Sequence, residues 1–133
     1  MVSKIDNAFS FQSQALSLRA HRQQILAGNI ANADTPNFKA RDFDFSTALK
    51  DAVAGRSGGS LPLAVTTSRH LQGGADAGPA RLMYRTPSQT SVDGNTVDMD
   101  VERAQFSENA IRYEAGLTFI TGRVKTLLSA IQG

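Results

Sequence analysis

Few residues in this sequence have the type and spacing that catalysis or metal binding requires. The chain has no cysteine, which excludes disulfides, thiol catalysis and cysteine-based zinc sites. His21 stands beside Arg22, and His70 lies in a glycine-rich segment, so neither histidine has a metal-binding or catalytic partner nearby in sequence. Neither glycine pair is followed by the Lys-Ser/Thr of a phosphate-binding loop. The sequence therefore predicts a non-enzymatic protein with no cofactor, metal or small-molecule substrate.

The densest group of acidic residues lies between Asp93 and Glu102. It has the oxygen density of a calcium loop, but its glycine comes second and the Asp-x-Asp-x-Asp-Gly order is missing. A capped helix start explains the group better, with Asn95 as the cap and Asp98, Asp100 and Glu102 near the positive end of the helix dipole. We therefore predict a helix that begins after Asn95.

Length and charge exclude several other classes of protein. The 133 residues, of which 41% are apolar, suit one folding unit. A net charge of +2, with no aromatic residues alternating with the basic ones, argues against nucleic-acid binding. No apolar run is long enough for a membrane span, and the first residues lack the layout of a secretory signal. We expect a protein that carries no cleaved signal peptide.

The two ends of the chain carry the strongest helical periodicity. In the segment 93–133 eight apolar or aromatic residues recur at alternating spacings of four and three: Phe106, Ala110, Tyr113, Leu117, Ile120, Val124, Leu127 and Ile131. In the segment 1–34 a helix is predicted from residue 3 to about residue 31, with a similar but interrupted stripe of Ile5, Phe9, Leu16, Leu26 and Ile30. We predict that the two stripes pack together. The periodicity fits the core of a monomeric hairpin and a polymer subunit equally well.

Between these helices the sequence predicts less regular structure. Pro36 ends the first helix, and a short amphipathic helix follows within residues 35–54, with Asp42 as its candidate cap. Residues 55–92 are rich in glycine and should form an irregular segment, with at most a short hairpin between 61–67 and 81–86. The expected fold is mainly α and elongated.

One segment resembles a known family. Residues 26–40, Leu-Ala-Gly-Asn-Ile-Ala-Asn-Ala-Asp-Thr-Pro-Asn-Phe-Lys-Ala, closely resemble the N-terminal signature of bacterial flagellar rod and hook proteins. Residues 41–45 and 93–103 resemble the proximal rod members of that family. Two positions depart from the common pattern, because Phe38 stands where tyrosine is commoner and Asn37 where glycine often occurs. In physical terms the motif is a rigid corner, in which Asn29 and Asn32 can bond the backbone where the helix ends.

The resemblance implies an axial structural protein of the flagellar basal body. The terminal helices would form a coiled-coil-like inner domain, and subunits would stack helically around a channel as the drive shaft for motility. Implied partners are further copies, other rod subunits, the basal-body adapter protein, the membrane ring and the export gate. The implied location is the rod in the periplasmic space, reached through the flagellar type III export apparatus. The corner residues expected to contact adjacent subunits are Asn29, Ile30, Ala31, Asn32, Asp34, Thr35, Pro36, Phe38 and Lys39.

A second interpretation remains open. Two amphipathic helices joined by a loop could also form a soluble helical-hairpin adapter or chaperone that binds a partner helix in its groove. The two functions differ in whether the terminal helices are complete in the isolated chain.

Overall fold

Two long helices dominate the molecule. The computed structural model describes residues 2–55, 78–87 and 91–133, without the side chains of residues 2–5 and 8. In chain order the described elements are α1 (Val2–Ala31), β1 (Arg41–Asp42), α2 (Phe45–Val53), β2 (Met83–Tyr84) and α3 (Met99–Gln132). The predicted architecture is confirmed: long terminal helices pack together, with a short helix and short strands between them.

The two long helices run antiparallel. Asn29, near the end of α1, contacts Glu102 at the start of α3, and Leu16 in mid-α1 contacts Gly116 further along α3. The 34 residues of α3 span about 51 Å at 1.5 Å per residue. Within the described ranges, no helix has an apolar stretch sufficient to cross a bilayer.

The cap of α2 is Asp44, and the prediction of Asp42 was wrong. The Asp44 side chain accepts hydrogen bonds from the Ser46 backbone N–H at 3.0 Å and from Thr47 Oγ1 at 2.7 Å. Asp42 lies two residues earlier and binds arginine side chains instead. Aspartate is a favourable cap at either position. Asp44 is the cap because the helix begins at the next residue, Phe45.

The described strands form a two-stranded ladder. β1 and β2 are antiparallel, with Arg41 opposite Tyr84 and Asp42 opposite Met83. The segment 81–86 therefore pairs with the residues after the corner. The predicted hairpin between 61–67 and 81–86 involves residues 61–67, which lie outside the described part of the chain, and it stays a prediction. Proximity decides this pairing, because the corner brings residues 40–42 beside β2.

The helix α3 begins at Met99 with Asp98 as its cap, so the prediction of Asn95 was also wrong. Asp98 Oδ1 accepts from the backbone N–H groups of Asp100 and Val101 at 3.1 and 3.3 Å. Asn95 is already engaged with the corner, as described below. Glu102 also departs from expectation, since it is fully buried.

The apolar core lies where α1, α2 and the segment around β2 meet. Its buried members are Leu18, Phe43, Ala48 and Ala80, with half-buried Ile25 and Leu82 against them. This cluster packs α2 and the segment around β2 against α1.

Candidate interaction site

The predicted corner is anchored by its two asparagines. Asn29 is 2% exposed, and its amide pairs with the Arg41 backbone in both directions: Nδ2 donates to the carbonyl at 2.8 Å and Oδ1 accepts from the N–H at 3.1 Å. Asn32 Nδ2 donates to the Gly28 carbonyl at 2.8 Å. Both asparagines thus bond backbone groups, as the sequence predicted. The Asn29 side chain therefore forms its hydrogen bonds within the chain.

The sequence did not predict that the Asn95 side chain bonds the backbone of the corner. Its Nδ2 lies 2.7 to 3.0 Å from the backbone carbonyls of Asn32, Ala33 and Thr35, and its Oδ1 accepts from the Val97 N–H at 2.8 Å. A side chain some 60 residues away thus bonds backbone carbonyls of the turn that follows α1. No local signal distinguishes this role from helix capping.

The backbone around Asn95 holds the corner from a second side. Asn37 N–H donates to the Asp93 carbonyl at 2.9 Å, and Lys39 Nζ donates to the Gly94 carbonyl at 2.6 Å. Gly94 has a φ of 73°, and a Cβ at this position would lie 2.6 Å from Asn37 Oδ1. Glycine is therefore required here by backbone conformation and by close approach.

Much of the corner is exposed to solvent. Its exposed residues are Ala31, Asp34, Thr35, Pro36, Asn37 and Lys39, and Ile30 and Phe38 are half-buried beside them. The corner therefore combines a rigid inner anchor with a polar outer surface.

A charged network connects β1 and β2 with the long helices. Asp42 Oδ2 lies 2.8 Å from Arg22 Nη2 and 2.7 Å from Arg85 Nη2, and Arg85 Nη1 also pairs with Glu102. Gln105 Oε1 accepts from both arginines, at 3.0 and 2.9 Å. These residues are far apart in sequence, so no spacing predicted the network.

The pKa values of the two carboxylates in this network are shifted in opposite directions from their ordinary values. Burial disfavours the charge on both. For Asp42, hydrogen bonds from Arg22, the Phe43 N–H and Arg85 outweigh burial, so its pKa lies below the ordinary value of 3.8. For Glu102, burial outweighs the donors Asn29 and Arg85, so its pKa lies above the ordinary value of 4.5.

The predicted packing stripes occupy several environments. Leu26 on α1 is fully buried, and Phe9, Leu16 and Ile30 are half-buried. The Ile5 side chain lies outside what the structure describes. On α3 the half-buried members are Phe106, Ala110, Tyr113 and Ile120. The exposed members are Leu117, Val124, Leu127 and Ile131, and Phe119 and Leu128 on the same half of the helix are exposed as well.

One cavity, of about 250 Å³, lies beside Gly28 between α1 and the corner. Its lining among the described residues is Gln24, Ile25, Gly28, Asn29, Asn32, Phe38, Arg41 and Leu82, of which Arg41 alone is ionisable. No group of three metal-ligating side chains occurs in the described part of the chain.

Comparison with known proteins gives consistent matches. The family model described as flagella basal body rod protein matches residues 9–39, which comprise most of α1 and the corner. The chain is 51% identical to the flagellar basal body rod protein FlgB of Proteus mirabilis, over 99% of this chain and 98% of that protein. It is 49% identical to FlgB of Salmonella typhimurium and 47% identical to FlgB of Escherichia coli K12, again over nearly the full length of both chains.

Proposed function

The chain belongs to the FlgB family of flagellar basal body rod proteins, and on that premise we propose that it polymerises through its terminal helices into the helical drive shaft of the flagellum. The family is one of structural rod proteins, and we propose a mechanical role without cofactor or small-molecule substrate.

The observation that supports polymerisation is the exposed apolar half of α3. Leu117, Val124 and Leu127 are about 40% exposed, Phe119 is 57% exposed and Ile131 is 81% exposed. Full burial of a wholly exposed side chain of this kind gains roughly 1.5–3 kcal/mol before the cost of ordering, and each of these side chains gains the share of that energy that corresponds to its exposed fraction. Apolar patches of this kind mark protein contacts. We infer that neighbouring subunits cover this half of the helix.

The outer side of the corner provides a second proposed contact. Asp34, Thr35 and Pro36 project from a loop whose inner side is held by Asn29 and Asn95. A rigid loop loses little entropy when a neighbour binds it. We propose that these exposed residues contact an adjacent subunit, while Asn29 and Asn32 act indirectly by holding the loop.

The proposed partners follow from the family. A rod protein assembles with other flagellar components, and for this chain we propose further copies, the other proximal rod subunits, the adapter protein, the membrane ring and the export gate. We propose a location in the periplasmic part of the rod, reached through the type III export apparatus without signal cleavage.

The polymerisation proposal is tested by placing a charge on the exposed apolar half of α3. Leu127→Asp and Leu117→Asp should each abolish swimming and remove the protein from isolated basal bodies, in a strain that lacks its own copy. The reason is that a carboxylate in a water-excluded contact is unfavourable by several kcal/mol. Both positions are about 40% exposed in the single chain, so synthesis and helix content should persist.

Ser107→Asp is the matched control. Ser107 is exposed on the other half of α3, outside the proposed contact, so the same added charge should leave swimming intact. Normal swimming and normal incorporation of the Leu127→Asp protein would contradict the proposal.

A further inference from the structure

The centre of the contact between α1 and α3 is polar. Glu102 and Asn109, seven residues apart on α3, are 0% and 2% exposed. Gly116, a further seven residues along, lies so close to Leu16 that a Cβ there would be 2.9 Å from Leu16 Cδ2. Residues at this spacing lie along one face of a helix. The line of closest approach on α3 therefore consists of a carboxylate, an amide and a glycine.

Glu102 and Asn109 both form hydrogen bonds with residues of α1. Glu102 Oε2 accepts a hydrogen bond from Asn29 Nδ2 at 3.2 Å. Asn109 Nδ2 donates to the backbone carbonyl of Arg19 at 2.9 Å and to Gln23 Oε1 at 2.6 Å. Asn29 and Gln23 lie six residues apart on α1, close to the seven residues between Glu102 and Asn109 on α3, so one antiparallel register satisfies both.

A displacement of α3 by one helical turn, about 5.4 Å, would separate both groups from these partners. A buried carboxylate without donors and a buried amide without acceptors are both strongly unfavourable. Apolar side chains impose no comparable restriction, because hydrophobic contact is not directional. The polar line thus discriminates between registers in a way that the apolar stripe cannot.

We propose that Glu102 and Asn109 are specificity residues that fix the antiparallel register of α1 and α3 and disfavour pairing of these segments with the helices of another copy. A buried asparagine can fix the register of a helix pair while lowering its stability. Asn109 fits this description, because its buried Oδ1 has no hydrogen-bond donor among the described residues. The proposal concerns pairing within one chain, and so it is separate from the contacts proposed between subunits.

Introduced cysteine pairs can report the register, because the chain has no cysteine of its own. Leu16→Cys with Gly116→Cys reports the observed register, and Leu16→Cys with Ile120→Cys reports a shift of about one turn. With Asn109 present, oxidation of the purified full chain should give the 16–116 disulfide and little else. With Asn109→Leu we expect several-fold more of the 16–120 disulfide and of disulfide-linked dimers, together with a melting temperature a few degrees higher.

Two further variants keep the test decisive. Asn109→Ala removes the amide without adding bulk, and it should also permit the shifted or intermolecular disulfides. Phe106→Leu, at a half-buried apolar position beside the polar line, should leave the disulfide pattern unchanged.

Shifted or intermolecular disulfides in either Asn109 variant would support the proposal. It is overturned if both variants fold but form only the 16–116 disulfide as monomers. It is equally overturned if both fail to fold, because Asn109 would then be required for stability.

Discussion

At the scale of single residues, the charged network contains two carboxylates whose pKa values are shifted in opposite directions. Asp42 and Glu102 both bind Arg85. Asp42 receives enough hydrogen bonds to favour its charged form, and its pKa is lowered, whereas burial dominates at Glu102 and raises its pKa. Ionised Glu102 therefore contributes less to the stability of the folded chain than protonated Glu102 does.

We predict that Glu102 makes stability fall as the pH rises above 4.5, the ordinary glutamate value. Because its pKa is higher in the folded chain, the folded state holds the proton more tightly, and the free energy of unfolding decreases until the folded-state pKa is passed. Asp42 acts oppositely and at lower pH: its contribution is present above 3.8 and is lost as the pH falls through its folded-state pKa. Urea unfolding at a series of pH values measures both effects.

Glu102→Gln isolates the contribution of Glu102. Relative to this variant, the native chain should lose stability as the pH rises from 4.5 through the folded-state pKa of Glu102. Glu108→Gln, an exposed position on the same helix, controls for the removed charge. Parallel stability curves for the native chain and Glu102→Gln would refute the prediction.

At the scale of elements, the start of α3 has two neighbouring polar residues with separate functions. Asp98 caps the helix, since its carboxylate accepts from two backbone N–H groups of the first turn. Asn95 instead bonds a carbonyl of the turn that follows α1. The end of one long helix and the start of the other are thus joined by residues 95–98, which positions the corner relative to both helices.

We predict that Asp98→Ala lowers the free energy of unfolding by about 1 kcal/mol, because two first-turn N–H groups lose their acceptor. Amide hydrogen exchange should accelerate at Asp100 and Val101. Asp98→Asn is the matched variant, because asparagine is an equally good cap, and it should retain most of the stability. Equal losses in the two variants would show that the charge matters rather than the cap.

At the scale of the whole molecule, the chain is well packed at one end and sparsely packed along part of α3. The packed end contains Glu102, Asn109, the corner and the apolar core. Beyond Gly116, most of the α3 side chains are exposed. Regions with few buried contacts open more readily than the core. This difference along one helix is what we expect of a subunit whose remaining contacts come from its neighbours.

We predict a gradient of amide hydrogen exchange along α3 in the isolated chain, with slow exchange near Asn109 and progressively faster exchange from Leu117 to Gln132. Mixing with other rod proteins should slow exchange in the second half. Uniformly strong protection of the isolated monomer would instead favour the helical-hairpin adapter. Exchange at α2, which packs into the apolar core, serves as the internal reference.

The sequence alone determined the features that depend on local chemistry. The apolar residues at alternating spacings of four and three predicted both long helices, Pro36 predicted the end of α1, and the motif at residues 26–40 predicted the family, which the near full-length relatives confirm. These signals are readable because helix formation and termination depend on residues within a few positions of each other.

The tertiary structure decided which residues meet. Asn95 was expected to cap α3 and instead holds the end of α1, while Asp42 was expected to cap α2 and instead binds Arg22 and Arg85. The buried line on α3 contains Glu102 and Asn109, although the periodicity favoured apolar residues. Side chains of one type can satisfy either local or distant backbone and charged groups, and only the folded arrangement of the helices determines which partners lie within reach.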